Sequence, residues 1–94
     1  NVCKILPTFT NLTPTERRRM IRWAESHLSD PSSVVKACAL DCLVQLSLVP
    51  KFARELAQAQ HHVEHSAEHG DTPALRARAR KMQRQLKRHF REAN

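Results

Sequence analysis

Basic residues near the C-terminal end are the feature of this 94-residue sequence with the clearest chemical meaning. From Asp71 to Asn94 there are eight lysines and arginines against two acidic residues, which supplies +6 of the formal net charge of +7. At helical spacing, five of them fall into one column, namely Arg76, Arg80, Arg84, Lys87 and Arg91. Such a column attracts nucleic-acid phosphates or an acidic protein surface. It is also typical of a solvated helix that ends a helical stack, because arginine and lysine stems cover apolar surface there.

A second group of arginines opens an earlier helix and gives weaker support to the same chemistry. It consists of Arg17, Arg18, Arg19 and Arg22. Positive charge at the N-terminus of a helix opposes the helix dipole, although nearby glutamates offset part of that cost. We take Arg17, Arg18 and Arg22 as secondary binding candidates, which gain weight if they face the same side of the molecule as the C-terminal column.

Four histidines follow one another on a third predicted helix: His61, His62, His65 and His69. His61 and His65, and likewise His65 and His69, are four residues apart, a spacing that lets two imidazoles reach one metal ion. The residue order differs from that of helical metalloproteases, and no third ligand follows at a fixed spacing. We therefore expect a solvated polar face and no metal centre, with His61, His65 and His69 as weak metal-ligand candidates.

Three cysteines and one tryptophan complete the set of notable side chains. Cys38 and Cys42 lie in an apolar helical run and Cys3 lies elsewhere, so we expect reduced, buried thiols in a reducing compartment. Trp23, beside His27, is expected to close a helix–helix interface rather than to bind a ligand.

Catalysis finds no support in the sequence. No nucleophile with its base, no pair of carboxylates and no glycine-rich cofactor loop can be assembled. The chain has a single glycine, and no apolar run reaches the length of a membrane span. We expect a protein that is not an enzyme, uses no cofactor, does not enter membranes and is located in the cytoplasm.

Prolines and capping residues divide the chain into four helices. Thr13, Pro14 and Glu16 form a capping box with proline at the first helical position, which predicts the start of the first helix. The segment Ser29-Asp30-Pro31 is expected to stop that helix and to cap the next. Residues 2–9 are expected to form a further short helical piece.

The second helix, from about Pro31 to Leu48, is apolar on nearly all sides and must be covered by its neighbours. The third helix, from about Lys51 to His69, is expected to end at Gly70 in the left-handed conformation. The fourth helix begins after Asp71 and Thr72 and carries a narrow apolar stripe, which we assign to the core: Leu75, Ala79, Met82, Leu86 and Phe90.

The second and fourth helices match each other at an offset of 40 residues. Val35-Lys36-Ala37-Cys38-Ala39 aligns with Leu75-Arg76-Ala77-Arg78-Ala79, and Leu46 aligns with Leu86. A period near 40 residues with two helices per unit indicates stacked helical hairpins. The two segments resemble the inner helices of HEAT and armadillo-like repeats, and the chain is similar to short bacterial HEAT-like proteins of unassigned function.

The resemblance implies an all-α fold in which four to five helices form an α-α superhelix of stacked antiparallel hairpins. A plain helix bundle is the alternative. We expect residues 1–94 to form one domain at the C-terminal end of a longer array. The resemblance also implies a scaffold that binds a protein partner, and the basic column favours an acidic one. Nucleic-acid binding through the same residues is the alternative function, and an open hairpin face at the N-terminal end would allow two copies to associate.

Overall fold

Four α-helices make up the fold, which a computed structural model describes for residues 12–93. They are α1 (Pro14–Ser26), α2 (Ser33–Ser47), α3 (Ala53–His69) and α4 (Pro73–Ala93). One turn of 3₁₀-helix precedes α2 at His27–Ser29, and another precedes α3 at Pro50–Phe52. No strand occurs within the described range, so the fold is all-α, as the sequence predicted. The expected helical piece at residues 2–9, together with Cys3, lies outside the described residues.

The predicted capping box is present at the start of α1. The backbone N–H of Glu16 donates to Thr13 Oγ1 over 3.1 Å, and the backbone N–H of Thr13 donates to Glu16 Oε1 over 2.9 Å. Two backbone donors that the helix itself leaves unpaired are therefore satisfied locally.

The helices α2 and α4 begin in the same way, 40 residues apart. The hydroxyl of Ser32 accepts a hydrogen bond from the N–H of Val35, and the hydroxyl of Thr72 accepts one from the N–H of Leu75. Asp30, which the sequence predicted as the cap of α2, instead accepts a hydrogen bond of 2.9 Å from the backbone N–H of Ser32. The actual cap is thus the serine two residues further on, and the aspartate holds it in place.

The core is built around α2, which packs against each of the other three helices, while α3 also packs along α4. The side chains of Leu40, Leu43, Val44 and Leu46 are completely shielded from solvent. The other helices contribute Ile21, Ala24, Leu56, Ala59, Val63, Ala79, Met82 and Leu86 to the same cluster. Complete burial of an aliphatic side chain is worth about 1.5–3 kcal/mol, so this cluster dominates the stability of the fold. Val34 is an exception to the predicted covering of α2, since it is 73% exposed.

Ion pairs connect α2 with the second half of the molecule. Asp41 Oδ2 lies 3.1 Å from Arg78 Nη2 on α4. Lys36 pairs with Asp71, which lies in the turn between α3 and α4. Asp41, a polar residue on a mostly buried helix, therefore has a charged partner on the neighbouring helix.

The end of α3 differs from the prediction. Gly70 has φ −56° and ψ 145°, so it is not in the left-handed conformation. A Cβ atom at this position would lie 2.6 Å from the main-chain oxygen of Ser66. Lack of space for a side chain, and not a positive φ, is the reason that glycine fits here.

Two aromatic side chains are more exposed than the sequence predicted. Trp23 is 43% exposed, and its ring centroid lies 4.5 Å from that of His27. Phe90 is 37% exposed and does not belong to the buried cluster. Both lie at the edge of an apolar helical stripe, where a small difference in helix rotation decides between burial and exposure.

Among the helices of residues 12–93, no single one is both long enough and apolar enough to cross a bilayer. The length and composition are met only by α2 taken together with the segment Pro50–His69, and these two are bent against each other by 117°.

Candidate binding surface on the C-terminal helix

The basic residues of α4 occupy the side of the helix that faces away from the core. Residues Leu75, Ala79, Met82 and Leu86 recur every three or four positions and are buried. The opposite side therefore faces solvent. Lys81 is exposed there, and so are the five basic residues that line the groove and the cleft described below: Arg80, Arg84, Lys87, Arg88 and Arg91. Within residues 12–93, none of these five side chains has a hydrogen-bond or ion-pair partner. We call these five residues the basic face of α4.

Two other arginines of α4 are engaged inside the molecule. Arg76 is half-buried, and its Nη1 donates a hydrogen bond of 2.7 Å to the carbonyl of Gly70. Arg78 pairs with Asp41 on α2. Arg76, a member of the predicted column, thus fastens the turn before α4, whereas Arg88, which the sequence left outside the column, joins the basic face.

A groove of about 590 Å³ runs between α3 and α4, alongside the basic face. It is lined by Gln60, Glu64, Arg80, Gln83, Arg84, Leu86, Lys87 and Phe90. The exposed part of the Phe90 ring is the largest apolar surface in the groove. The side-chain amides of Gln60 and Gln83 can donate and accept hydrogen bonds there. The sequence assigned Phe90 to the core, so it gave no sign of this groove, which exists only because α3 and α4 lie side by side.

A smaller cleft of about 190 Å³ opens on the basic face itself. It is lined by Arg84, Lys87, Arg88 and Arg91 and by no other residue. Four cations around one cleft repel each other, and an anion placed among them relieves that repulsion. The guanidinium groups suit a planar carboxylate or a phosphate, which they bind through two parallel hydrogen bonds.

The arginines of α1 are separate from this surface, because α1 packs on α2 while α4 packs on α3 and α2. Arg17 is 8% exposed and donates a hydrogen bond to the carbonyl of Leu46. The guanidinium carbon of Arg18 lies 5.0 Å from the centroid of the Phe52 ring, in a cation–π contact. Arg22 is exposed. Two of the three secondary candidates therefore have roles within the fold.

The histidines lie on the solvent side of α3, as the sequence predicted, but they are not equivalent. The ring centroids of His65 and His69 are 5.1 Å apart. His62 is directed towards α1, where its Nε2 lies 3.9 Å from Glu25 Oε2. His61 is exposed. Across residues 12–93, no group of three or more histidine, cysteine or acidic side chains is arranged to hold a metal ion.

The two cysteines of α2 differ in oxidation state. Cys42 is a buried free thiol, as predicted, and burial together with the negative charge of Asp41 raises its pKa to about 11. Cys38 is disulfide-bonded, so the prediction of a reduced thiol is wrong for this residue. The prediction of a cytoplasmic location rested partly on reduced cysteines and stays a prediction.

No protein-family model, curated protein or solved structure matches the chain. Its similarity to HEAT-like proteins therefore stays a prediction, based on the 40-residue offset between α2 and α4. The basic face and the groove are likewise identified from the residues of this chain alone, and not by comparison with a known protein.

Proposed function

We propose that this chain is a non-catalytic helical interaction module that binds an acidic segment of another protein along α4. The observation that carries the proposal is the basic face of α4, whose five cations have no partner in residues 12–93 and border a groove containing an exposed phenylalanine. Elsewhere in the molecule, Lys36, Arg76 and Arg78 each have an oxygen acceptor within the fold. Exposed cations outside α4, such as Arg19, Arg22 and Arg54, also have no partner within residues 12–93, but only the five of the basic face lie together beside the groove and the cleft.

The groove favours a protein segment over a simple polyanion. The exposed part of Phe90 offers apolar contact, which a partner's leucine or aromatic side chain would remove from water. The surrounding Arg80, Arg84 and Lys87 form a charged rim. An apolar centre with a polar rim is the usual composition of a protein–protein interface.

The arrangement of helices supports the scaffold part of the proposal. α1 packs with α2, α3 packs with α4, and α2 contacts α4 across the two pairs. The caps of α2 and α4 are equivalent at an offset of 40 residues. We propose that these are two stacked HEAT-like hairpins, with α4 as the final helix whose polar outer side remains accessible.

Nucleic-acid binding is the second candidate function, and the cleft among Arg84, Lys87, Arg88 and Arg91 is the observation that favours it. Phosphates bind to such clusters without regard to base sequence. Single-stranded nucleic acid would also need aromatic platforms for its bases, and Phe90 is the one aromatic residue other than histidine on α4. The protein-segment proposal uses both the cations and Phe90, whereas binding to a duplex uses the cations alone.

Fluorescence anisotropy with three labelled probes separates these functions. The probes are a glutamate-rich amphipathic peptide with leucines on one helical side, a polyglutamate of equal length, and a short random DNA duplex, each at about 50 and about 200 mM salt. We expect the amphipathic peptide to bind most tightly and to retain part of its affinity at the higher salt. Phe90→Ser should weaken that peptide about fivefold, equivalent to about 1 kcal/mol, and leave the duplex unaffected.

Charge variants complete the test. Arg84→Glu/Lys87→Glu should abolish binding of the amphipathic peptide. Arg19→Glu/Arg54→Glu changes the net charge equally at exposed positions outside the groove and should have little effect. If the duplex binds more tightly than the peptide and is insensitive to Phe90→Ser, nucleic-acid binding replaces the proposal. If no probe binds at the lower salt, or if both double variants weaken binding equally, the basic face is not a specific site.

A further inference from the structure

His65 and His69 are one helical turn apart on the exposed side of α3, and their rings lie close together. The ring centroids are 5.1 Å apart and the ring planes are tilted by 43°. Both residues are exposed, so water and ions reach them. The closest acidic group is Glu68, whose Oε2 lies 3.7 Å from Nε2 of His69.

The separation of the rings suits joint coordination of one metal ion. An imidazole nitrogen binds a transition metal at about 2.0–2.1 Å, which puts the metal about 3.2 Å from the ring centroid. At a tetrahedral angle, two centroids at that distance from the metal are about 5.2 Å apart, and at a right angle they are about 4.5 Å apart. The observed 5.1 Å falls between these values and close to the first.

The structure also distinguishes this pair from the other histidine pair that the sequence offered. His61 is four residues before His65 but makes no ring contact within the described chain. His62 is directed towards Glu25 of α1. The sequence left two overlapping pairs with His65 in common, and only the pair with His69 has its rings in contact, at a separation that suits joint coordination.

We propose that His65 and His69 form a two-histidine site for a divalent transition-metal ion, with water in the remaining coordination positions. Two imidazoles without a thiolate favour late first-row metals, and the general order of affinities predicts that Cu²⁺ binds more tightly than Ni²⁺ or Zn²⁺. The Glu68 carboxylate adds local negative charge that favours a cation. This site is separate from the basic face of α4 and does not depend on the function proposed for it.

Isothermal titration of the untagged chain with Cu²⁺, Ni²⁺, Zn²⁺ and Mg²⁺ in a non-chelating buffer tests the site. We expect one Cu²⁺ per chain, weaker binding of Ni²⁺ and Zn²⁺, and none of Mg²⁺. His65→Ala and His69→Ala should each weaken Cu²⁺ binding at least tenfold, whereas His61→Ala and His62→Ala are the matched controls and should retain it. The melting temperature should rise with Cu²⁺ in wild type and in the controls, but not in the two site variants.

Three results would overturn the proposal of a metal site at His65 and His69. One is the absence of Cu²⁺ binding by wild type. Another is equal weakening by His61→Ala and His69→Ala, which would show that the ion does not select the observed pair. The last is undiminished binding in His65→Ala, which would place the ion elsewhere. His61, His65 and His69 are exposed, so the melting curves of their variants without metal should coincide with wild type and exclude unfolding as the cause.

Discussion

The Nη1 atom of Arg17 donates a hydrogen bond of 2.9 Å to the main-chain carbonyl of Leu46. Leu46 lies in the last turn of α2, where carbonyl groups have no N–H partner within the helix. Arg17 is 8% exposed, so little water is available to replace it. The arginine therefore completes the C-terminal end of α2 and fastens α1 to it.

Arg17→Met should lower the free energy of unfolding by about 1–3 kcal/mol, since methionine keeps most of the packing but leaves the Leu46 carbonyl without its donor. Urea denaturation followed by circular dichroism measures the change. Arg19→Met, at an exposed position on the same helix, is the control and should be within about 0.5 kcal/mol of wild type. Equal stability of the two variants would mean that the hydrogen bond adds nothing to the fold.

Gly70→Ala should destabilise the protein even though the φ of −56° suits alanine. In open space, this exchange stabilises a protein by about 0.4–1 kcal/mol, because the unfolded chain loses freedom. Here the new Cβ would lie 2.6 Å from the Ser66 main-chain oxygen and 3.1 Å from side-chain atoms of Leu75 and Arg76. We expect a net loss of about 1–3 kcal/mol, measured by thermal or urea unfolding.

Gly70→Asn distinguishes the two reasons for glycine at this position. Asparagine tolerates the left-handed conformation, so it would be milder than alanine if that conformation were required. Because the requirement is for space, asparagine should be at least as damaging as alanine. A stabilised Gly70→Ala variant would contradict the steric explanation.

The sequence was sufficient to predict the four helices because the signals that start and stop them lie in neighbouring residues. Thr13 with Glu16, and Thr72 ahead of Pro73, are signals that involve four neighbouring residues at most. The same local logic could not predict that Arg17 is buried, since its acceptor lies 29 residues away. On a helical wheel, Arg17 is one more member of a charged cluster.

The candidate surface was predictable in its charge but not in its shape. Helical spacing identified Arg80, Arg84, Lys87 and Arg91, all of which are exposed. The groove beside them depends on how α3 lies against α4, which no single-helix pattern contains. The pairing of His69 with His65, rather than of His61, depends on side-chain rotamers and was equally beyond the sequence.

Glu16 should make the stability of α1 depend on pH. Its pKa is lowered from 4.5, first by the hydrogen bond from the Thr13 backbone N–H, then by the Thr13 side chain, with a smaller effect of the Arg19 charge. A carboxyl whose pKa is lower in the folded state stabilises the fold above its unfolded pKa, and this contribution is lost as the pH falls through the folded value. The loss should therefore occur below about pH 4.5.

Glu16→Gln isolates this effect, because the amide oxygen still accepts the Thr13 hydrogen bond but does not titrate. Melting temperatures of wild type and variant should differ near pH 7 and converge near pH 3. A constant difference across that range would show that the Glu16 charge does not contribute to the capping box.

Cys42 should be almost inert to thiol reagents in the folded protein and reactive once it unfolds. Its pKa of about 11 results from burial and from the neighbouring Asp41, and the side chain is 1% exposed. Near pH 8 only about one thiol in a thousand is then ionised, and the thiolate is the reactive form. Alkylation with iodoacetamide followed by peptide mapping should leave Cys42 unmodified in native buffer and label it fully in denaturant.

Cys38 should escape labelling under both conditions until a reductant is added, because it is disulfide-bonded. Rapid native labelling of Cys42 would show that α2 opens to solvent, and labelling of Cys38 without reductant would show that its disulfide is absent.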